Sequence, residues 1–408
     1  MMPTRPSSAS VLSRIVLGVT GGIAAYKAAE LVRLLVRNGV AVDVVLTESG
    51  ARFVTATTFQ ALSGRPVHTD LWHTTADNAM GHIAISRGAD AIVVAPASAD
   101  FIAKLATGAA NDLLSTLCLA RECPLLVAPA MNVQMWSNRA TQRNVAQLRA
   151  DGVTILGPDA GELACNEFGA GRMLEAEELY AAIVASRQAK VLAGKRVLLT
   201  AGPTFEAIDP VRGITNSSSG KMGFALAQAA AEAGAAVVMV AGPTALPTPA
   251  NVERIDVRSA AQMAEAVMQR VSGADVFVGV AAVADYTPVS PSKQKIKKSK
   301  DALTLALEPT VDILAEVAAR KSPPFCVGFA AESQDVVDLA EEKRRRKKVP
   351  LLVANRAQDA LGSDENEVTL LDDAGAHALA RMPKLALARE LIAQIATRLE
   401  AAGSARRK

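Results

Sequence analysis

Short apolar runs recur at 15–19, 41–46, 90–96, 124–128 and 153–156, and between them lie Ala- and Leu-rich stretches with helical spacing, such as Ala24 to Val36. Runs of strand length alternating with helical periodicity predict βαβ units, and hence a parallel sheet with helices on both faces. The pattern begins again at 196–200, 236–241, 275–281, 325–329 and 350–353, with helical stretches such as Phe224 to Ala231 between the runs. The chain therefore reads as α/β: two doubly wound, Rossmann-like parallel-sheet domains in tandem. Residues 176–194, Ala- and Glu-rich and then Ser-Arg-Gln-Ala-Lys, predict a last helix and a connector. This places the boundary near Ala193 and the domains at 1–192 and 193–408. The small, basic tail from Ala401 to Lys408 is expected to fray.

Composition narrows the class. With 408 residues, each half is long enough to bury its own core. Hydrophobic residues are 50% of the chain and aromatics only 3%, so those cores are built from Ala, Val, Leu and Ile. A net charge of +3 implies neither a nucleic-acid nor a membrane partner, and any anion site must come from local clustering. Cys118, Cys123, Cys165 and Cys326 show no paired spacing, which reads as reduced thiols and a cytoplasmic protein. The first ten residues lack the apolar segment of about 7–15 residues that a secretory signal needs. No run approaches the ~18 apolar residues of a membrane span.

Each half opens with a strand-like run that ends in small residues: Gly18-Val-Thr-Gly-Gly-Ile-Ala-Ala in the first, Thr200-Ala-Gly-Pro-Thr in the second. Such turns let a backbone approach a phosphate at the start of a helix. The first does not fit G-x-G-x-x-G, which disfavours a simple dinucleotide site and leaves open both a mononucleotide phosphate seat and a turn with no ligand. Three further segments add chemistry: Gly81-His-Ile-Ala-Ile-Ser86, Ala95-Pro-Ala-Ser-Ala-Asp-Phe101 and Pro129-Ala-Met-Asn-Val-Gln-Met-Trp136. Downstream comes the glycine-rich Ala164-Cys-Asn-Glu-Phe-Gly-Ala-Gly-Arg172. In these segments the first half resembles the flavin-containing cysteine decarboxylases, a family marked by a histidine, a Pro-x-Met-Asn-x-x-Met-Trp motif and a cysteine loop.

The resemblance implies FMN against Gly21, Gly22, Ile23, Thr47, Ser49, Ser98 and Ala99. In that family the flavin oxidises the substrate thiol to a thioaldehyde, so that the carbanion left by loss of CO2 is conjugated with C=S. The resemblance makes His82 the active-site histidine, has Asn132 hold the substrate's carboxylate and amide, and has Cys165 protonate the enethiol intermediate. Asn166 stands where the family has glycine. On the residues alone, His82 also fits a structural histidine, Asn132 a cap and Cys165 an ordinary thiol. His68 and His73 supply two imidazoles, fewer than a zinc site needs. Metal ligands stay unassigned.

In the second half, Thr215-Asn-Ser-Ser-Ser-Gly-Lys-Met-Gly223 fails as a P-loop, with Thr215 in place of the first glycine and Met222 after the lysine. The whole stretch from Gly202 to Gly223 instead resembles phosphopantothenate-cysteine ligases. The rest of that pattern follows in order: Ala281-Ala-Val-Ala-Asp-Tyr286, Lys295-Ile-Lys-Lys298, Val327-Gly-Phe-Ala-Ala-Glu332, then a basic stretch with Lys343 and Lys347. The resemblance implies CTP and Mg2+, which activate the pantothenate carboxylate as an acyl-cytidylate that cysteine attacks through its amine. Asn216 would hold the acyl phosphate through its side-chain amide, and Lys295 would neutralise charge developing on the phosphates. Gly279, Val280, Ala281, Asp285, Val311, Asp312, Ile313, Leu314 and Phe329 would hold the nucleotide, with Lys343 and Lys347. Independently, Lys343 and Lys347 are four apart and share a helix face, although a solvated face balanced by Glu341 and Glu342 fits as well. The lysines between Lys293 and Lys300 lack the interleaved aromatics of a nucleic-acid surface.

Together the resemblances span nearly the whole chain, in the order of the bacterial bifunctional coenzyme A biosynthesis proteins: an N-terminal flavoprotein domain, then a C-terminal ligase domain. They imply small-molecule substrates (4'-phosphopantothenate, cysteine, CTP), no nucleic-acid or membrane partner, and a homo-oligomer, a dodecamer built from decarboxylase trimers and ligase dimers. Two other readings compete. One is a flavin- or NAD(P)-dependent oxidoreductase with a fused regulatory domain, and the other a flavoprotein that regulates a partner through its basic helix.

Overall fold

The computed structural model describes residues 12–71, 85–163, 167–298, 303–332, 334–356, 358 and 362–405. The chain forms two compact units, Met1–Gln188 and Ala189–Lys408. The connector packs with the second: Leu192 donates its N–H to the Ala233 carbonyl at 2.9 Å, and Lys190 Nζ donates to the Glu232 carbonyl at 2.6 Å.

In the first unit, β1 (Arg14–Val19), β2 (Ala41–Leu46), β3 (Ala91–Ala97), β4 (Leu125–Pro129) and β5 (Thr154–Ile155) form one parallel sheet ordered β2-β1-β3-β4-β5. The strands are near-continuous apolar runs because both faces are covered; all of β3 and β4 is buried. Leu31, Val32 and Leu35 of the helix Ala25–Arg37 cover one face together with Leu179 and Ile183 of the helix Ala176–Ser186. Phe101, Ile102, Leu114 and Leu117 cover the other. A hairpin of β6 (Asp159–Glu162) and β7 (Phe168–Arg172) follows.

The second unit begins with β8 (Arg196–Ala201), β9 (Phe205–Ala207), β10 (Gly213–Thr215), β11 (Ala236–Ala241), β12 (Val252–Asp256) and β13 (Val276–Gly279). It continues with β14 (Tyr286–Pro288), β15 (Leu307–Pro309), β16 (Phe325–Glu332), β17 (Leu351–Arg356), β18 (Glu365–Asp372) and β19 (Gly375–Pro383). The main sheet is ordered β12-β11-β8-β13-β16-β17-β18-β19. Its parallel part, counted along the chain from β8, has the Rossmann order 3-2-1-4-5-6. The first unit has the flavodoxin-like order 2-1-3-4-5, so the two halves share a class but not a topology.

Three features depart from the expected pattern. The second sheet is not purely parallel, because β18 pairs antiparallel with both β17 and β19. These strands leave no continuous apolar run: β18 buries alternate residues, and β19 has no buried residue. Strand β12, partly exposed along its length, extends the other edge beyond the apolar run at 236–241. The tail expected to fray from Ala401 is helical as far as Ala405, where the helix Lys384–Ala405 ends. Leu387, Leu391 and Ile395 hold that helix to the core, and the partly buried Leu399 carries the stripe toward its end.

Candidate functional sites

In an open parallel sheet the crevice lies beyond the carboxyl ends of the strands, where the strand order reverses. In the first unit this point lies between β1 and β3, and a buried threonine joins them there. Thr20 donates its hydroxyl to the Pro96 carbonyl at 2.8 Å and accepts the Ser98 N–H at 3.0 Å. The polar side chains around it are helix caps. Thr47 accepts the Gly50 N–H at 3.1 Å, Ser98 the Phe101 N–H at 3.2 Å, and Asn132 the Met135 N–H at 2.8 Å through Oδ1. Capping sets each residue at the rim, Thr47 and Ser98 directly after β2 and β3, and Asn132 three residues past the end of β4. Gly21 packs against this frame so closely that a Cβ would lie 2.7 Å from the Ser49 Cβ. Ile23, in contrast, is 63% exposed.

Beside this rim is a cavity of about 670 Å³, lined by Ile23, Tyr26, Ala130, Met131, Asn132 and Gly171 among others. Gly171 is there by necessity, because its φ is +143° and a Cβ would sit 2.3 Å from the Met131 carbonyl oxygen. Lys27, buried, is part of the cavity's lining; its ammonium donates to the Met173 carbonyl at 2.9 Å and to Glu175 at 2.8 Å. A glycine-lined rim, an apolar wall and helix N-termini suit a flavin mononucleotide with its phosphate. The structure thus gathers Gly21, Gly22, Ile23, Thr47, Ser49, Ser98, Ala99 and Asn132. His82 and Cys165 lie outside the described residues, as does His73 of the histidine pair. Cys118 is buried, and burial pushes its thiol up to about 12.

In the second unit the reversal lies between β8 and β13. Here the first connection, 202–220, holds the β9–β10 hairpin in place of a glycine-rich dinucleotide turn. Thr204, fully buried, accepts the Ala284 N–H at 2.9 Å, and Thr200 accepts the Ala281 N–H at 3.2 Å. These bonds fix the 279–285 segment that follows β13. Asn216 reaches the same segment: its Nδ2 donates to the Ala282 and Val283 carbonyls at 3.2 and 3.0 Å. Its donors are therefore engaged on the backbone, whereas the expected contact with an acyl phosphate would need them. Asp312 caps the helix Ile313–Ala318 and holds Lys347 at 2.8 Å. Burial raises the Asp312 pKa, but the Lys347 hydrogen bond and the Ala315 N–H outweigh it and hold the carboxyl low. Lys343 lies 3.8 Å from Glu332 on β16. Ile313 and Leu314 are buried, which leaves only their backbone for a ligand. Lys295 is exposed, on a segment joined to the hairpin through Ile296.

The sequence reading missed Thr20, Thr204, Asp209 and Lys27. Asp209 carried a local signal, since Asp-Pro marks a turn. The threonines carried none, because their partners are 78 and 80 residues away. Among the described residues, no group of three or more His, Cys, Asp or Glu is arranged to hold a metal ion. No described helix is long and apolar enough to cross a membrane.

Two doubly wound units, each with polar loops at its own reversal of strand order, define a tandem Rossmann-like α/β protein of the flavoprotein class. The family described as Flavoprotein matches residues 3–188. The DNA/pantothenate metabolism flavoprotein C-terminal domain matches residues 192–399. The coenzyme A biosynthesis bifunctional protein CoaBC of Vibrio vulnificus (strain YJ016) is 50% identical over 390 residues, 94% of this chain and 97% of that protein. A crystal structure of the C-terminal domain of CoaBC aligns with a TM-score of 0.45 at 42% identity, covering 52% of this chain and 100% of that one. That of the FMN-dependent cysteine decarboxylase SpaF aligns at 0.39 with 31% identity, covering 43% of this chain and 98% of that one. The chain belongs to the family of coenzyme A biosynthesis bifunctional proteins.

Proposed function

We propose that the C-terminal half joins 4'-phosphopantothenate to cysteine at the expense of CTP, and that the N-terminal half decarboxylates the product to 4'-phosphopantetheine with FMN. The observation that supports this reading is that Gly21, Gly22, Thr47 and Ser98 in the first unit, and Asn216 with the 279–285 segment in the second, lie in the loops at the carboxyl ends of the strands beside each sheet's strand-order reversal. Family membership supports it.

In the ligase half, the pantothenate carboxylate attacks the α-phosphorus of CTP and displaces pyrophosphate. The cysteine amine then attacks the acyl carbon and displaces CMP. Lys295 offsets the charge that develops on the phosphates, and Lys343 and Lys347 bind the polyphosphate. Lys347 exchanges Asp312 for phosphate when nucleotide arrives. The backbone of 279–281 and 311–314, with Asp285 and Phe329, holds the cytidine. Asn216 acts first by fixing the 282–283 backbone, and meets the acyl phosphate only by releasing those carbonyls. Mg2+ enters with the triphosphate, as it commonly does.

In the decarboxylase half, Gly21, Gly22, Ile23, Thr47, Ser49, Ser98 and Ala99 would hold FMN, which would supply a two-electron sink and source for the substrate's thiol. Asn132 spends Oδ1 on its cap, so its Nδ2 donates to the substrate carboxylate before CO2 leaves. Cys165 takes its proton-donating role, and His82 its place as the active-site histidine, a base or an orienting donor, from the resemblance. An assembly of decarboxylase trimers and ligase dimers completes the reading, and light scattering of the purified chain tests it.

The deciding experiment is mass spectrometry of products after incubation with 4'-phosphopantothenate, cysteine, CTP and Mg2+. Phosphopantetheine is expected. Accumulation of phosphopantothenoylcysteine would remove the decarboxylase half of the reading, and absence of both products would remove all of it.

A further inference from the structure

The β9–β10 hairpin carries at its tip a carboxylate that no role above uses. Asp209 is 1% exposed, and its two oxygens have different partners. Oδ1 accepts the N–H groups of Val211 and Arg212, both at 2.8 Å, which closes the turn on itself. Oδ2 accepts the Ile296 N–H at 3.1 Å, across 87 residues of sequence. The Arg212 guanidinium lies 3.6 Å from Oδ2 and donates to the Ile296 carbonyl at 2.6 Å. Both polar backbone groups of Ile296 are therefore bound to the hairpin tip. Ser292 adds a second tie, its N–H donating to the Ile208 carbonyl at 2.8 Å.

The hairpin is itself anchored. Glu206, buried, accepts the Ala260 N–H at 2.8 Å at the start of the helix Ala260–Met268. The Arg258 guanidinium stacks over the Phe205 ring at 4.4 Å. The tethered segment 291–298, in contrast, has no helix or strand and carries Lys293, Lys295, Lys297 and Lys298, all exposed. Four like charges in a short exposed stretch repel one another, so its conformation depends on what holds its backbone.

We infer that Asp209 is a positioning residue for ligation: by binding the peptide next to Lys295 to an anchored hairpin, it presents that ammonium to the phosphates of the substrate. The inference rests on the role given to Lys295 above. Asp209→Asn is the selective test, because asparagine keeps Oδ1 for the turn but replaces Oδ2 with an amide that cannot accept from Ile296. In the full chain, D209N is expected to lower ligation turnover about 10- to 100-fold, with a smaller change in KM for CTP. Trypsin should cut within 293–298 several-fold faster, while decarboxylation of supplied phosphopantothenoylcysteine is unchanged. In a K295A background, D209N should add no further loss. Wild-type ligation and cleavage in D209N, or a double variant slower than K295A by the full D209N factor, would overturn the inference. Normal ligation by K295A would instead sink the Lys295 reading, and the trypsin rate alone would then decide whether Asp209 holds the segment.

Discussion

The two halves set most of their polar groups at the same topological point by different means, although Thr20 ties the first across 76 and 78 residues and Asp312 caps a helix in the second. In the first, Asn132 is fixed by a hydrogen bond only three residues along the chain, and Thr47 and Ser98 likewise cap the helix that begins after their own strand. In the second, Asn216 reaches across 66 residues, Thr204 across 80 and Asp209 across 87. A site built from caps forms as its helices form. A site built from loop-to-loop ties exists only once the whole sheet has closed, and damage to one tie is felt at residues distant in sequence.

The sharpest way to separate the halves is to remove one chemistry and leave the other. Replacing Lys295 with Gln should lower ligation by roughly 100- to 1,000-fold, the usual effect of losing one preorganised charge partner, and leave decarboxylation intact in a coupled product assay. Loss of both activities would mean that the halves do not act separately. Next in size is Asn132→Ser, which keeps a cap but removes the amide donor. Decarboxylation should fall ~10- to 100-fold with an unchanged melting temperature, as expected for one hydrogen bond to a charged group. A drop in melting temperature with normal turnover would show that capping is all Asn132 does.

Gly21→Ala tests the flavin frame. The new Cβ would meet the Ser49 Cβ at 2.7 Å, an overpacking worth about 1–3 kcal/mol, so flavin absorbance per chain should fall while ligation is spared. Asp312→Ala removes a cap worth ~1 kcal/mol and releases Lys347. The ligase half should melt a few degrees earlier, and KM for CTP should drop if Asp312 competes with phosphate for that lysine.

The smallest effect is a pH dependence confined to the first half. Burial raises the Asp43 pKa, but hydrogen bonds from Arg65 at 2.6 Å and Arg14 at 2.7 Å outweigh it and hold the carboxyl below its usual 3.8. A group with a depressed folded pKa stabilises fully above the unfolded value and loses that contribution as pH falls through the folded one. The destabilisation of Asp43→Asn, read as a denaturation midpoint, should therefore be constant near neutrality and shrink below about pH 4. A penalty that grows on acidification would exclude this account.

Much of this arrangement is legible in residue order. Apolar runs mark β1 to β4 and β8, β11, β13, β16 and β17, because buried parallel strands need no polar side. The three-residue strands β9, β10, β14 and β15 are too short to show a period, and β19, with no buried residue, offers no pattern. The small-residue turns were visible as candidate phosphate seats, and the capping role of Asn132 as an alternative, because each is a local signal. Thr20 and Thr204 were not, and Asp209 showed only as an Asp-Pro turn, since an aspartate or threonine reveals its importance only through its partner.

By itself, then, the sequence determined the α/β class, the tandem organisation and the small-residue turns, all of which follow from periods and spacings within about a dozen residues. Tertiary structure alone decided the two strand orders, the antiparallel edge, the engagement of Asn216 with the 282–283 carbonyls and the tether between Asp209 and Ile296. The reason is physical: hydrogen bonds across 66 to 87 residues leave no period in the chain and come into being only when the strands that carry them are side by side.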